Sequence, residues 1–263
     1  MGTYTHGHHE SVLRSHRWRT AENSAAYLLP YLTPGQRLLD VGCGPGTLTV
    51  DLAARVGSVT ALEQTTDALD LARAEAARRG ATDVEFAVGD VHALPFADGE
   101  FDVVHAHQVL QHVADPVQAL REMRRVTRPG GIVAARDSDY PAFAWHPRLP
   151  ALDAWMELYL RCAQANGGEP AAGRVLLSWA QAAEFAEISS TASVWCFATP
   201  KDRVWWGGMW ADRILQSAMA TQALESGFAT PSDLQAISDA WQAWAAAADG
   251  WLALLHGEIV ARA

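Results

Sequence analysis

Three glycines on alternate positions, Gly42, Gly44 and Gly46, interrupt the run LLDVGCGPGTLTV where an apolar segment gives way to a helix-like pattern. A backbone stripped of side chains at the end of a strand lets a ligand approach the chain itself, at the N-terminus of the helix that follows. One carboxylate, Asp40, lies just upstream, and another, Glu63, ends the next apolar run seventeen residues beyond Gly46. The dinucleotide fingerprint is GxGxxG, whereas the spacing here is GxGxG, and the Gly-Lys-Ser/Thr that closes a phosphate-binding loop is absent. Asp40 repels a pyrophosphate but suits an ammonium group. The turn therefore favours a ligand with a cationic amino acid tail.

LLDVGCGPGTLT resembles the first motif of class I S-adenosylmethionine-dependent methyltransferases, and further stretches match in order. Glu63 matches the acidic residue that grips both ribose hydroxyls. GDVHALPFADGEFDVV is similar to the third and fourth motifs, and HQVLQHVADP and LREMRRVTRPGG to the segments that follow the fourth strand and precede the fifth. The resemblance covers residues 35–137 and is closest to the ubiquinone/menaquinone-biosynthesis-like group of small-molecule methyltransferases, whose leader helix RTAENSAAYLLPYLTPG also resembles.

The resemblance implies S-adenosyl-L-methionine as cofactor, with S-adenosyl-L-homocysteine as product. Gly42, Cys43, Gly44 and Gly46 would cradle it and Asp40 would face its ammonium group. Glu63, with Gln64 beside it, would hold the sugar. Asp90 would accept from the adenine amine while the Val91 backbone meets the ring edge. His107 and Gln108 would reach the methionine moiety and the acceptor site. Arg19 in the leader would pair with the cofactor carboxylate through its planar fork. On the acceptor side the expectations are His107 and Asp137 as orienting or basic groups, and Tyr4, Trp145, Trp206 and Trp210 as contacts. No metal is expected, because Asp137 and Asp139 lack a fuller ligand pattern around them.

The elements that position these residues alternate. QRLLDVG, SVTALEQ, DVEFAVGD, FDVVHAH and IVAARDS read as strands, with helices TLTVDLAARV, TDALDLARAEAARRG and one opening at Asp115 and Pro116, where Gln118 completes a capping box. Strand–helix alternation means a parallel sheet with helices on both faces, the α/β Rossmann-like class. Residues 1–34 form a helical lid, 35–139 the cofactor-binding core, and 140–263 a mostly helical, Trp-rich cap that contributes the last strands. Ten of the eleven tryptophans lie between Trp145 and Trp251. They belong to the core or to an interface, which leaves a homodimer open.

A net charge of −10 argues against nucleic acid as a partner. Cys43, Cys162 and Cys196 show no CxxC spacing, which suits a reducing cytoplasm, and no apolar run is long enough for a membrane span. The expected activity is methylation of a small, hydrophobic or aromatic metabolite. Two other readings stay open: modification of RNA or protein, and a non-catalytic S-adenosylmethionine-binding protein.

Overall fold

The computed structural model describes residues 10–263; Tyr4 and the histidines of YTHGHH lie outside them. The chain enters through α1 (Glu10–Arg17) and the single turn α2 (Ala21–Ser24), which Thr20 and Asn23 cap reciprocally. Five parallel strands follow: β1 (Arg37–Val41), β2 (Ser58–Glu63), β3 (Val84–Val88), β4 (Phe101–His107) and β5 (Thr127–Ser138). The helices between them are α3 (Thr47–Ala53), α4 (Thr66–Arg79) and α5 (Pro116–Val126). Thr65 caps α4 through the Ala68 amide and left-handed Gly80 ends it. Asp115 caps α5 as expected, whereas Gln118 reaches away from the cap and donates to the His92 carbonyl.

Successive side chains of a strand point to opposite faces, and both faces of this sheet are apolar. Leu38, Val59, Val103 and Ile132 pack with Leu48 and Leu52 of α3. Leu39, Val41, Val104 and Val133 pack on the other face with Leu120 and Met123 of α5. Burial on both faces explains why these strands read as continuous apolar runs.

The second half of the chain adds β6 (Ala144–His146), α6 (Pro150–Ala165), α7 (Ala172–Ala182), β7 (Ile188–Phe197), α8 (Pro200–Gln216), α9 (Ala218–Glu225), α10 (Pro231–Ala246) and β8 (Trp251–Arg262). The sheet order is β3-β2-β1-β4-β5-β8-β6, with β7 also paired to β8. Strand β8 runs antiparallel to β5 through residues 256–262 and to β6 through residues 251–253. Its other edge carries β7 through residues 252–261. Above this end of the sheet, α6, α8, α9 and α10 form a separate core around the buried Trp155, Trp210, Trp241 and Trp244. Trp155 meets Trp210 and Trp241 edge-on at 4.8 and 4.9 Å, an arrangement the ring quadrupoles favour.

β7 begins at Ile188, and Ser189, Ser190 and Thr191 form an exposed edge with no apolar signal in the sequence. One strand boundary differs clearly from the sequence reading. β5 reaches back through RPGG to Thr127, which pairs with Phe101 across a register irregularity. No helix of the described residues is long and apolar enough to cross a membrane.

One contact sets the spacing between α7 and β8. A Cβ on Gly257 would lie 1.9 Å from the Gly173 carbonyl oxygen, backbone against backbone. Gly257→Ala is expected to cost at least about 3 kcal/mol of unfolding free energy in denaturant titration. Gly208→Ala, inside α8 with nothing within 4 Å of the added methyl, is expected to gain about 0.5–1 kcal/mol.

Candidate functional site

Strand order reverses between β1 and β4, and the carboxyl ends of the strands open there into a cavity of about 220 Å³. Ligands of open α/β sheets bind at this switch point. The turn after β1 forms one wall. Gly42, Gly44 and Gly46 take φ of 67°, 54° and 78°, the left-handed region that glycine occupies at little cost. The Gly42 and Cys43 amides donate to the Leu62 carbonyl at 2.9 and 3.1 Å, anchoring the turn to β2. Gly46 is not on the wall; its Cβ would meet Ala72 at 2.9 Å, so its role is close packing of α3 on α4.

Glu63 ends β2 on the cavity wall, beside Gln64. Its Oε1 accepts from the Gly44 amide at 2.8 Å and its Oε2 from the Gln64 amide at 3.2 Å. The carboxylate is thus fixed against the glycine turn. Val91 and Gly89 line the wall beside Leu62. Cys43 lines it too, and burial pushes its thiol well above the ordinary value, so it is a neutral side chain and not a nucleophile. A fixed carboxylate for a diol, a bare turn and an apolar slot suit the implied adenosyl cofactor.

Arg19, between α1 and α2, reaches over the cavity and donates to Gln108 Oε1 at 2.7 Å. That bond fixes the Gln108 amide, whose Nε2 then donates to His256 Nε2 at 3.0 Å. His256 Nδ1 in turn donates to the Leu254 carbonyl at 3.0 Å. On the neighbouring strand, Arg136 Nη1 donates to His107 Nε2 at 3.0 Å. A guanidinium has no lone pair to offer, so His107 is neutral, protonated on Nδ1, with its basic nitrogen already engaged. Burial holds His107 well below the usual imidazole value, with Arg19 and Arg136 adding to the effect. The basic role expected of His107 is therefore corrected: its lone-pair nitrogen is held by Arg136.

Several other expectations are relocated. Asp40 sits beneath the turn, 2 % exposed, accepting from Thr49 Oγ1 at 2.6 Å and His105 Nδ1 at 3.0 Å. It borders a small adjoining pocket shared with Arg19, not the main cavity. Asp90 turns back on its own loop, accepting from the His92 amide at 2.9 Å and the His92 ring at 2.6 Å. Asp137 is fully buried behind the wall, where Oδ1 accepts from the Gln111 amide at 3.1 Å; it supports the turn after β4 and is not on the wall of this cavity. Trp145 packs edge-on to Trp155 at 6.1 Å in the helical layer, away from the cavity.

Trp206 and Trp210, both on α8, do line the cavity. With them stand residues that sequence reading did not assign: Tyr140, Phe143, Trp195, Arg213 and His256. They come from β7, β8, α8 and the loop after β5, and no motif links them. The crowding of tryptophans after Trp145 was the single usable signal.

Residues 32–203 match the family described as methyltransferase domain. The chain is 36 % identical to an uncharacterised methyltransferase of Schizosaccharomyces pombe, over 98 % of this chain and 95 % of that protein. It is 37 % identical to the demethylmenaquinone methyltransferase of Renibacterium salmoninarum, over 51 % of this chain and 52 % of that one. The crystal structure of a putative methyltransferase from Bacillus halodurans shares the fold, with a TM-score of 0.57 at 21 % identity, over 90 % of this chain and 97 % of that one.

Burial of imidazoles makes stability depend on pH. His107, His112 and His256 are all held below the usual value, chiefly by burial, His112 down to about 4. Below about pH 6.5 the unfolded chain takes up these protons and the folded chain does not, so the fold loses stability on acidification. Asp137 opposes this: burial raises it to about 7, so it stays protonated in the fold and favours the acid end of the same window. Three groups act against one, and the urea midpoint is expected to fall from pH 7 to pH 5. His112→Gln is expected to make that fall shallower.

Proposed function

The chain belongs to the methyltransferase domain family, and on that premise we propose that it is an S-adenosylmethionine-dependent enzyme that methylates a small, flat, largely apolar molecule. The observation that carries this reading is the cavity's division into two ends. At one end Glu63 is tied to the glycine turn; at the other stand Tyr140, Phe143, Trp195, Trp206 and Trp210. The name of the demethylmenaquinone methyltransferase relative supports an acceptor with a planar ring system.

Bound there, the cofactor supplies a methyl group on a positively charged sulfur, which needs no covalent enzyme intermediate. The protein's own work is holding and excluding. Glu63 holds the sugar hydroxyls with oxygens already oriented by two backbone amides. Gly44 leaves the turn open, and Val91 bounds the flat slot beside Leu62. Arg19 and Gln108 form a bonded pair over the amino acid end, where Arg19 is the charge complement of a carboxylate. Asp40 acts from below: held by Thr49 and His105, it adds fixed negative charge under the turn. Leu13 and His16 of α1 line the cavity as a roof, and α8 closes the aromatic end. Such a wall excludes water and fixes the acceptor's orientation, and orientation alone lowers a barrier by several kcal/mol.

Macromolecular acceptors fit less well. The chain's net charge of −10 opposes a phosphate backbone, and the cavity away from the glycine turn is lined by aromatic side chains rather than by a basic face.

Two measurements test the reading. Incubation with methyl-labelled S-adenosylmethionine and a metabolite extract is expected to label a small aromatic product; label confined to RNA or protein sinks it. In calorimetry with S-adenosylhomocysteine, Glu63→Ala is expected to weaken binding by about 1.5–3 kcal/mol, the worth of hydrogen bonds to a charged group.

A further inference from the structure

Charge is distributed unevenly along the cavity. Among the described residues that line it, Glu63 is the one carboxylate, and it stands at the glycine turn. Two guanidiniums line the same cavity: Arg19 above Gln108, and Arg213 on α8 beside the aromatic end. Arg213 is 4 % exposed. Its Nη2 donates to Ser15 Oγ at 2.9 Å, and its guanidinium carbon lies 4.6 Å from the centre of the Trp210 ring. Ser15 and Trp210 are themselves on the cavity wall, so the cation is held between the roof and the aromatic side.

The field of these two cations is felt across the acceptor end. Burial raises the Tyr140 phenol above its ordinary value; a hydrogen bond with Tyr159 and, less strongly, Arg213 and Arg19 pull it the other way. An oxyanion close to that wall is favoured by the same field.

Basic side chains are correspondingly scarce there. The Nε2 lone pairs of His107 and His256 are taken by Arg136 and Gln108. His112 lies at about 4, too weak a base to take a proton from a hydroxyl at neutral pH. His16 sits over Gly44 at the cofactor end, its Nδ1 3.6 Å from where a Cβ on that glycine would stand. Asp137 is behind the wall.

We infer that the acceptor is a flat conjugated molecule that arrives already ionised on oxygen, as a phenolate, enolate or carboxylate, with Arg213 as its charge anchor. This rests on the methyl-transfer reading above and narrows its substrate class. The acceptor's electron pair forms the new bond to the methyl carbon as that carbon's bond to sulfur breaks, and the electrons of the broken bond stay on sulfur. An anion and a sulfonium become two neutral groups, and no proton is released. The acceptor needs no protein base, in keeping with the occupied imidazoles.

The test uses the full chain saturated with S-adenosylhomocysteine and a matched pair of planar probes, naphthoate and neutral naphthamide, followed by tryptophan fluorescence. Naphthoate is expected to bind at least about tenfold more tightly than naphthamide. Arg213→Met is expected to abolish that preference while leaving S-adenosylhomocysteine affinity unchanged, and Arg213→Lys, which keeps the charge, to restore part of it. Equal or tighter binding of the amide, no naphthoate binding up to millimolar concentration, or an unchanged preference in Arg213→Met overturns the inference. Lack of S-adenosylhomocysteine binding by the parent chain overturns the methyl-transfer reading instead, so the two failures are distinguishable.

Discussion

A buried guanidinium, Arg136, joins four strands under the site. In register along one row stand His107 on β4, Arg136 on β5, Glu258 on β8 and Thr191 on β7. Arg136 donates to His107 at 3.0 Å and to Glu258 at 3.2 Å, and Thr191 donates to the other Glu258 oxygen at 2.9 Å. Ser193 completes the set by bonding to both Arg136 and Glu258. Burial lowers Arg136 to about 10, so it remains charged at neutral pH, 1 % exposed and 4.7 Å from the centre of the Trp195 ring. Removing one member of such a pair leaves an uncompensated buried charge, worth about 3–5 kcal/mol. The row therefore locks the antiparallel end of the sheet to its parallel half, which is what brings Trp195 and His256 to a cavity begun by β1 and β2.

The same guanidinium decides the chemistry of the imidazole it touches. His107 could have been a base; facing Arg136 it becomes a neutral donor. Gln108, at φ 56°, turns its amide between Arg19 and His256 and imposes the corresponding order there. Hydrogen bonds run in one direction from Arg19 through Gln108 and His256 to the Leu254 carbonyl. A cavity wall so preorganised can orient and stabilise charge with little reorganisation, at the cost of having few groups able to exchange protons.

Carboxylates near strand ends show how local donors compete with ligands. Asp40, Asp90 and Asp137 all fall where a ligand contact would be reasonable, yet each is turned to a donor nearby: Asp40 to Thr49 and His105, Asp90 through Oδ1 to the His92 amide and ring, Asp137 through Oδ1 to the Gln111 amide. A buried carboxylate without enough donors is expensive: the fold gives Asp40 a donor for each oxygen, while Asp137, with one oxygen bonded, is pushed towards its protonated form. Glu63 differs because the amides that hold it belong to the cavity wall itself. The constraint that orients it also presents it to the cavity.

The parallel sheet, the glycine turn and Glu63 were legible in the sequence because each is a local signal: apolar runs of strand length, left-handed positions that glycine tolerates, and a carboxylate at a strand end. Position in an α/β sheet then follows from order along the chain, and with it the wall of the cavity that the glycine turn and Glu63 form. The aromatic side of the cavity was legible only in Trp206 and Trp210. Tyr140, Trp195, Arg213 and His256 come from β7, α8, β8 and a loop, and only the pairing of β8 between β5 and β7 sets them around the same space. Trp145 and Trp206 look alike in sequence, yet one packs partly buried against the outside of the helical core and the other spans from that core to the cavity wall. Residue type tells what a side chain can bury or bond; which neighbours it meets is decided by long-range packing and the register of strands far apart in the chain.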